Sequence, residues 1–304
     1  MKQIIFLFSI VLLMLSCGSG TEGSNANELP DDSASLRIAV MPTLDCLPLY
    51  LADERGFFEQ AGLDASLFFY TAQMDCDTAI ERGRVNAVVT DLVRAQRMMD
   101  NGQDLQFITS TDTYWQLVSG RKARIKQLKQ LDNKMMAMTR FSATHLLSEK
   151  AIDSARVDPE RVFCIQINDL DIRLNMLHTD IMDAMWLPEP QATDARNIKA
   201  HVLLDTRQMD YQLGVIVFRK RAATERQVKA FERAYNQACD SLNENGLMTY
   251  ADIIREKCHT TIQTIDSLPP MQFSHVKLPR EADIKRATEW LHKQQKEKTN
   301  DEKR

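Results

Sequence analysis

The stretch LRIAVMPTLDCLPLYLADERGFFEQAGLDASLFF, residues 36–69, carries the reading of the whole chain. Residues 36–41 form a short β-rich apolar run that Pro42 stops, and the loop PTLDC follows. Leu47, Leu49, Tyr50, Leu51 and Ala52 then open the apolar face of a helix, broken at Gly56 before Phe57 and Phe58. Gly62 ends that segment, and residues 64–70 read as a second strand. The unit is strand–loop–helix–strand, with its loop at the carboxyl end of the first strand, where open α/β sheets bind ligands.

The same alternation continues toward the carboxyl end. Asp75, Cys76, Asp77 and Thr78 read as a helix start, with acids near the positive end of the helix dipole, and Gly83 closes that helix. Residues 86–89 form a strand that runs directly into Thr90-Asp91 and a helix over 92–99, and residues 105–109 form another strand. Such a β-α-β-α-β order predicts an α/β fold, a largely parallel sheet with helices on its faces. Further on, a strand over 134–140 passes through Phe141, Ser142, Ala143 and Thr144 into a helix. Residues 161–168 and 181–187 are strands around a helix over 169–178. The last of these strands ends in Pro188-Glu189-Pro190-Gln191, where two prolines fix Glu189 just past the strand end. Helical segments over 222–242, 248–258 and 280–293 present apolar faces that suit packing on the first group of strands, and residues 294–304 read as a frayed charged tail.

The amino end is of another kind. Lys2 and the apolar run 4–15 are too short for a permanent membrane helix and suit a signal peptide over 1–16. It closes on Met14-Leu15-Ser16-Cys17, which resembles a bacterial lipobox with Met14 where Leu is usual, so Cys17 is the expected lipidation site. Residues 17–35 are Gly-, Ser-, Asn- and Asp-rich and read as a flexible tether. The net charge of the 304-residue chain is −4. With no basic patch, nucleic acid is not an expected partner. The six cysteines show neither CxxC spacing nor a zinc-type Cys/His cluster, so no metal or cofactor is expected. Cys46 and Cys76 follow adjacent strands at one sheet edge, and either a disulfide or two buried thiols would fit there.

Pro48, Leu49, Tyr50, Leu51, Ala52, Gly56, Phe57, Phe58, Gly62 and Leu63 resemble the opening of the ABC-transporter substrate-binding proteins that include thiamine-precursor, sulfonate/taurine and nitrate binders. Two further runs match that family's pattern: Gly83–Ala87 with Thr90–Ala95, and Trp186 to Thr193, where Gln191 replaces the usual aromatic. The resemblance covers roughly residues 36–247. It implies the two-lobe periplasmic-binding-protein type II fold, with lobe one from 36–114 and 212–293, lobe two from 115–211, and two crossover strands. It also implies a monomer that captures a small molecule and hands it to an ABC permease and ATPase, held at the membrane by its lipid anchor. An enzyme on the same fold and a binding lobe of a membrane sensor are the alternative roles.

Strand-end loops nominate Thr43, Asp45, Gln73, Asp75, Thr90, Asp91, Arg140, Ser142, Thr144, Trp186 and Glu189 as ligand contacts, and no residue as catalytic. Four acids against Arg140 alone, with Phe141 and Trp186, and Tyr70 or Trp115, as aromatic walls, favour an amine or an aminopyrimidine-like ring over an anion.

Overall fold

The computed structural model describes residues 34–301. The expected leader over 1–16 and the lipidation site Cys17 lie outside the described residues, as does the tether up to residue 33. Two five-stranded sheets form the frame.

The first sheet begins with β1 (Leu36–Val40), α1 (Leu47–Glu54), α2 (Phe57–Gln60), β2 (Ala65–Phe69), α3 (Gln73–Glu81), β3 (Ala87–Asp91), α4 (Leu92–Asp100) and β4 (Leu105–Ser110). The chain then crosses to the second sheet. There it forms β5 (Gln116–Ser119), β6 (Lys134–Met138), α5 (Ala143–Ala155), β7 (Val162–Gln166), α6 (Leu170–His178), β8 (Ala184–Leu187), α7 (Gln191–Asn197) and β9 (His201–Asp205). It returns through β10 (Gly214–Arg219) and ends in α8 (Glu225–Asn245), α9 (Ala251–Lys257), α10 (Ile262–Asp266) and α11 (Glu281–Asp301).

The strand orders are β2-β1-β3-β10-β4 and β7-β6-β8-β5-β9. Each sheet is therefore mixed rather than purely parallel. β10 runs antiparallel to β3 and β4, and β5 runs antiparallel to β8 and β9. The odd strand in each sheet is the one that arrives from the other lobe, so the two crossovers account for both departures from parallel order. Gly214 stands where the second crossover enters β10, and a Cβ there would run into the side chains of Thr111 and Thr113 on the first crossover. Only glycine lets the two connections approach so closely.

The strands of the first sheet read as continuous apolar runs because helices cover both faces. Ile38, Ala39 and Val40 of β1 and Ala87, Val88 and Val89 of β3 are all buried. The helix α8 packs here as expected, with Phe231 against Phe58, Phe218 and Tyr235. Two carboxyl-terminal expectations change. The residues from 294, read as a frayed tail, continue α11 as far as Asp301. The same helix also reaches the second lobe, where Trp290 Nε1 donates to Glu149 of α5 at 2.7 Å and its ring stands edge-on to His145. The helix α3 starts at Gln73, ahead of the acids read as its beginning.

Candidate functional site

The carboxyl ends of β1, β2 and β3 face those of β6, β7 and β8 across the junction of the two lobes. They enclose a cavity of about 70 Å³ lined by loop and helix-start residues from both sides. Lobe one contributes Thr43, Asp45, Gln73, Thr90, Asp91 and Arg94; lobe two contributes Thr139, Ser142, Thr144, Asn168 and Arg173. Trp115 of the first crossover and Pro188 after β8 complete the wall.

Asp91 links the two lobes inside the cavity, beside the bonds from Gln191 Nε2 to the Pro42 carbonyl at 2.7 Å and from the Leu44 amide to the Glu189 carbonyl at 2.9 Å. Chain direction explains its position: β3 runs without a turn into α4, so the last strand residue is also the helix N-cap. Its Oδ1 accepts the amide of Arg94, 3.0 Å away in its own lobe, and the amide of Ala143, also 3.0 Å away, at the start of α5 in the other lobe. One carboxylate oxygen thus serves two helix N-termini, each with donors that the helix cannot satisfy itself. Burial pushes the Asp91 carboxyl up to about 6, against the lowering effect of the Arg94 charge and the two amides.

The hydroxyls of lobe two are locked together. Ser142 Oγ donates to the Thr139 carbonyl at 2.6 Å and caps α5 through the Thr144 amide at 3.1 Å, while Thr144 Oγ1 accepts from the Thr139 amide at 2.9 Å. Beneath them lies Arg173, 2% exposed. It donates through Nε to the Ile167 carbonyl at 2.7 Å, through Nη1 to the Trp186 carbonyl at 2.8 Å and through Nη2 to Thr139 Oγ1 at 2.6 Å. Every one of those acceptors is neutral. Burial and the neighbouring Arg94 charge bring Arg173 down to about 9, which leaves it a cation at neutral pH. Arg94 itself is paired with Asp77, which also holds Arg97 at 3.0 Å. Opposite, Asp45 accepts a long 3.4 Å bond from Thr111 Oγ1, and burial raises its carboxyl.

The nominated residues divide. Thr43, Asp45, Gln73, Thr90, Asp91, Ser142 and Thr144 line the cavity; Asp75, Arg140, Trp186 and Glu189 do not. Asp75 is exposed in the first turn of α3, and Arg140 is exposed on the rim of β6. Trp186 is wholly enclosed, its Nε1 donating to Ser148 Oγ at 3.0 Å, because β8 is a central strand covered on both faces. It is therefore a core residue, and the aromatic on the cavity wall is Trp115. Glu189 belongs to the hinge: it accepts from Tyr114 at 2.9 Å, from the Thr193 amide at 2.9 Å and hydroxyl at 2.7 Å, and from Arg196 at 2.9 Å. The acid-rich cleft inferred from the loops is corrected accordingly, since two of its acids lie elsewhere and two buried arginines stand in it. Arg94 and Arg173 were missed because both sit inside helices rather than loops. Their signal was a cation in the first turn of a helix, where the dipole disfavours it. Cys46 and Cys76 are free buried thiols, and no cluster of three or more His, Cys, Asp or Glu suited to a metal occurs among the described residues.

A larger cavity of about 590 Å³ lies behind the hinge, between residues 111–114 and 206–212 and the segment before α11. Its charged residues are already ion-paired within the protein, Arg207 to Asp205 at 2.6 Å, Arg280 to Asp210 at 2.6 Å and Asp112 to Lys277 at 3.3 Å.

Two mixed sheets joined by exchanged strands, with their strand ends closed on one cavity, define the two-lobe periplasmic-binding-protein type II fold. The superpositions agree. The alkanesulfonate-binding protein SsuA of Xanthomonas axonopodis pv. citri, bound to MOPS, gives a TM-score of 0.71 at 16% identity, covering 86% of this chain and 91% of that one. The periplasmic aliphatic sulphonate binding protein SsuA of Escherichia coli gives 0.70 at 14% identity over 86% and 87%. The periplasmic nitrate-binding protein NrtA of Synechocystis PCC 6803 gives 0.67 at 12% identity over 78% and 70%. No curated protein sequence matches the chain. Residues 43–245 match the family described as NMT1/THI5 like, more than half of the chain, and the protein belongs to that family.

The Asp91 geometry carries a pH signature. A carboxyl whose folded value, about 6, exceeds its unfolded value of about 3.9 favours folding in its protonated form. That contribution is full below about pH 4 and is lost as pH rises through about 6. Asp91→Asn keeps a capping oxygen and removes the charge. Its melting temperature, taken relative to the wild type, should therefore climb between about pH 4 and 7. A difference that stays constant across that range in calorimetry would contradict the burial argument.

Proposed function

We propose that the chain is the solute-binding component of an ABC-type import system. The observation that carries this is the interlobe cavity: it is small, built from the strand ends of both lobes, and bridged by a single carboxylate whose hydrogen bond to Ala143 must break for the lobes to part. A ligand that contacts both lobes stabilises the closed state by its differential affinity alone, which is hinge closure around a solute. Named structural neighbours are binding proteins for sulfonates and nitrate, which supports the same role. The permease and its ATPase would read the closed form. In this reading the chain works outside the cytoplasm of a bacterium, with residues 1–16 removed and Cys17 carrying the lipid. No helix among the described residues is long and apolar enough to cross a membrane, so in this reading Cys17 supplies the attachment.

Isothermal titration of residues 34–304 against a panel of small amines, aminopyrimidines, amino acids, sulfonates and nitrate should give saturable one-to-one binding without turnover. Small-angle scattering should record compaction with the same ligand. Conversion of a panel member into product, or no binding by any of them, would overturn the transport role. For the anchor, Cys17→Ala in the full chain should move the protein from the membrane fraction to the soluble fraction. Unchanged membrane retention would refute lipidation at Cys17.

A further inference from the structure

Two charged groups of opposite sign line the cavity without an ion pair, Arg173 fully buried and Asp45 half-buried. Arg173 has no carboxylate within ion-pair distance among the described residues, and its three hydrogen bonds all go to neutral oxygens. A guanidinium carries five N–H donors. Two of them, one on each Nη, therefore remain for a ligand, in the fork geometry that fits a carboxylate or sulfonate. Arg94 lines the same cavity, and its Nε has no hydrogen-bond partner. Arg94 is already paired with Asp77, so Arg173 is the cavity cation left without an acidic partner.

The other end is short of positive charge. Asp45 is held by neutral donors alone, the Thr111 hydroxyl at 3.4 Å, the Thr43 hydroxyl and its own backbone amide, and no lysine, arginine or histidine lies within ion-pair distance of it among the described residues. Neither unpaired group satisfies the other, although both line one cavity. An unpaired charge held out of water is costly, and a partner that neutralises it is correspondingly favoured. A ligand carrying one charge would relieve one end and leave the other exposed to the same cost. The cavity volume of about 70 Å³ corresponds to roughly five to seven waters at about 10–15 Å³ each, which favours a ligand of few non-hydrogen atoms.

Resting on the solute-binding reading above, we infer that the ligand is a small zwitterion, its anionic group on Arg173 in lobe two and its ammonium on Asp45 in lobe one. Such a molecule spans the cleft and ties the lobes together through one salt bridge at each end. Trp115, Met41, Val89 and Leu170 offer apolar surface on the wall, enough for a short methylene spacer.

Matched probes that lose one charged end at a time test this. Taurine, ethanesulfonate and ethylamine form one set; β-alanine, propionate and ethylamine form another. In titration calorimetry at pH 7, a zwitterion of at least one set should bind about tenfold or more tighter than either singly charged analogue, as a charged hydrogen-bonded contact warrants. Asp45→Asn should bring the zwitterion down to the level of its des-amino anion and leave that anion's affinity unchanged or improved. Arg173→Lys should weaken zwitterion and anion alike and leave the amine unaffected. Equal affinity for zwitterion and des-amino anion would overturn the role of Asp45; equal affinity for zwitterion and amine would overturn that of Arg173. Binding of none of these probes, while another member of the wider panel binds one-to-one, would overturn the zwitterion and leave the solute-binding reading standing.

Discussion

A single carboxylate oxygen, Oδ1 of Asp91, holds the start of α4 in one lobe and the start of α5 in the other. It acts together with the backbone bonds between Leu44 and Glu189 and between Thr71 and Leu170, which also cross the cleft. Because β3 passes into α4 without a loop, the carboxylate cannot move independently of the first sheet. Because Ser142 caps α5 and is locked to Thr139 and Thr144, the Ala143 amide cannot move independently of the second. The two sheets are thus registered against each other through groups that sit on rigid elements, as a site that must close reproducibly requires. Opening the lobes would free the Ala143 amide and hydrate Asp91, so the burial that raises its carboxyl is itself a property of the closed state.

The hinge works by different chemistry. Glu189 gathers Tyr114, Thr193 and Arg196 into a network in which each oxygen has a donor. Gln116 donates to Asp205 at 2.6 Å, and Arg207 grips the same carboxylate while its guanidinium lies 4.1 Å from the centre of the Tyr114 ring. These charges are satisfied among themselves and bind the two crossovers side by side. The contrast with the cavity is what separates structural from ligand-directed polarity. At the hinge every buried charge is paired, whereas in the cavity Arg173 and Asp45 are not.

Much of the frame was legible in the sequence because it rests on local rules. The apolar runs of β1 and β3, the glycine stops at Gly62 and Gly83 and the Thr90-Asp91 transition follow from chain stiffness and capping preference, and they place the strand-end loops. The mixed direction of β5 and β10 was not legible, since it depends on which lobe a crossover strand joins. Trp186 and Glu189 look like cleft residues in a linear reading, because both stand at the end of a strand. Only packing shows that a central strand encloses Trp186 and that Arg196, seven residues further on, claims Glu189. Arg94 and Arg173 escaped for the opposite reason. An arginine on a helix is ordinarily a solvated one, and its burial at the strand ends is a tertiary fact.

Closure of the two lobes by a small molecule that engages charges from both is what the proposed role requires. Its most direct test is a crystal structure of the protein grown with the tightest-binding solute. Such closure predicts density inside the cavity within hydrogen-bonding distance of Arg173 on one side and Asp45 on the other, with the Asp91 bond to Ala143 intact. Density bound to one lobe alone, or lobes parted around a bound solute, would contradict it.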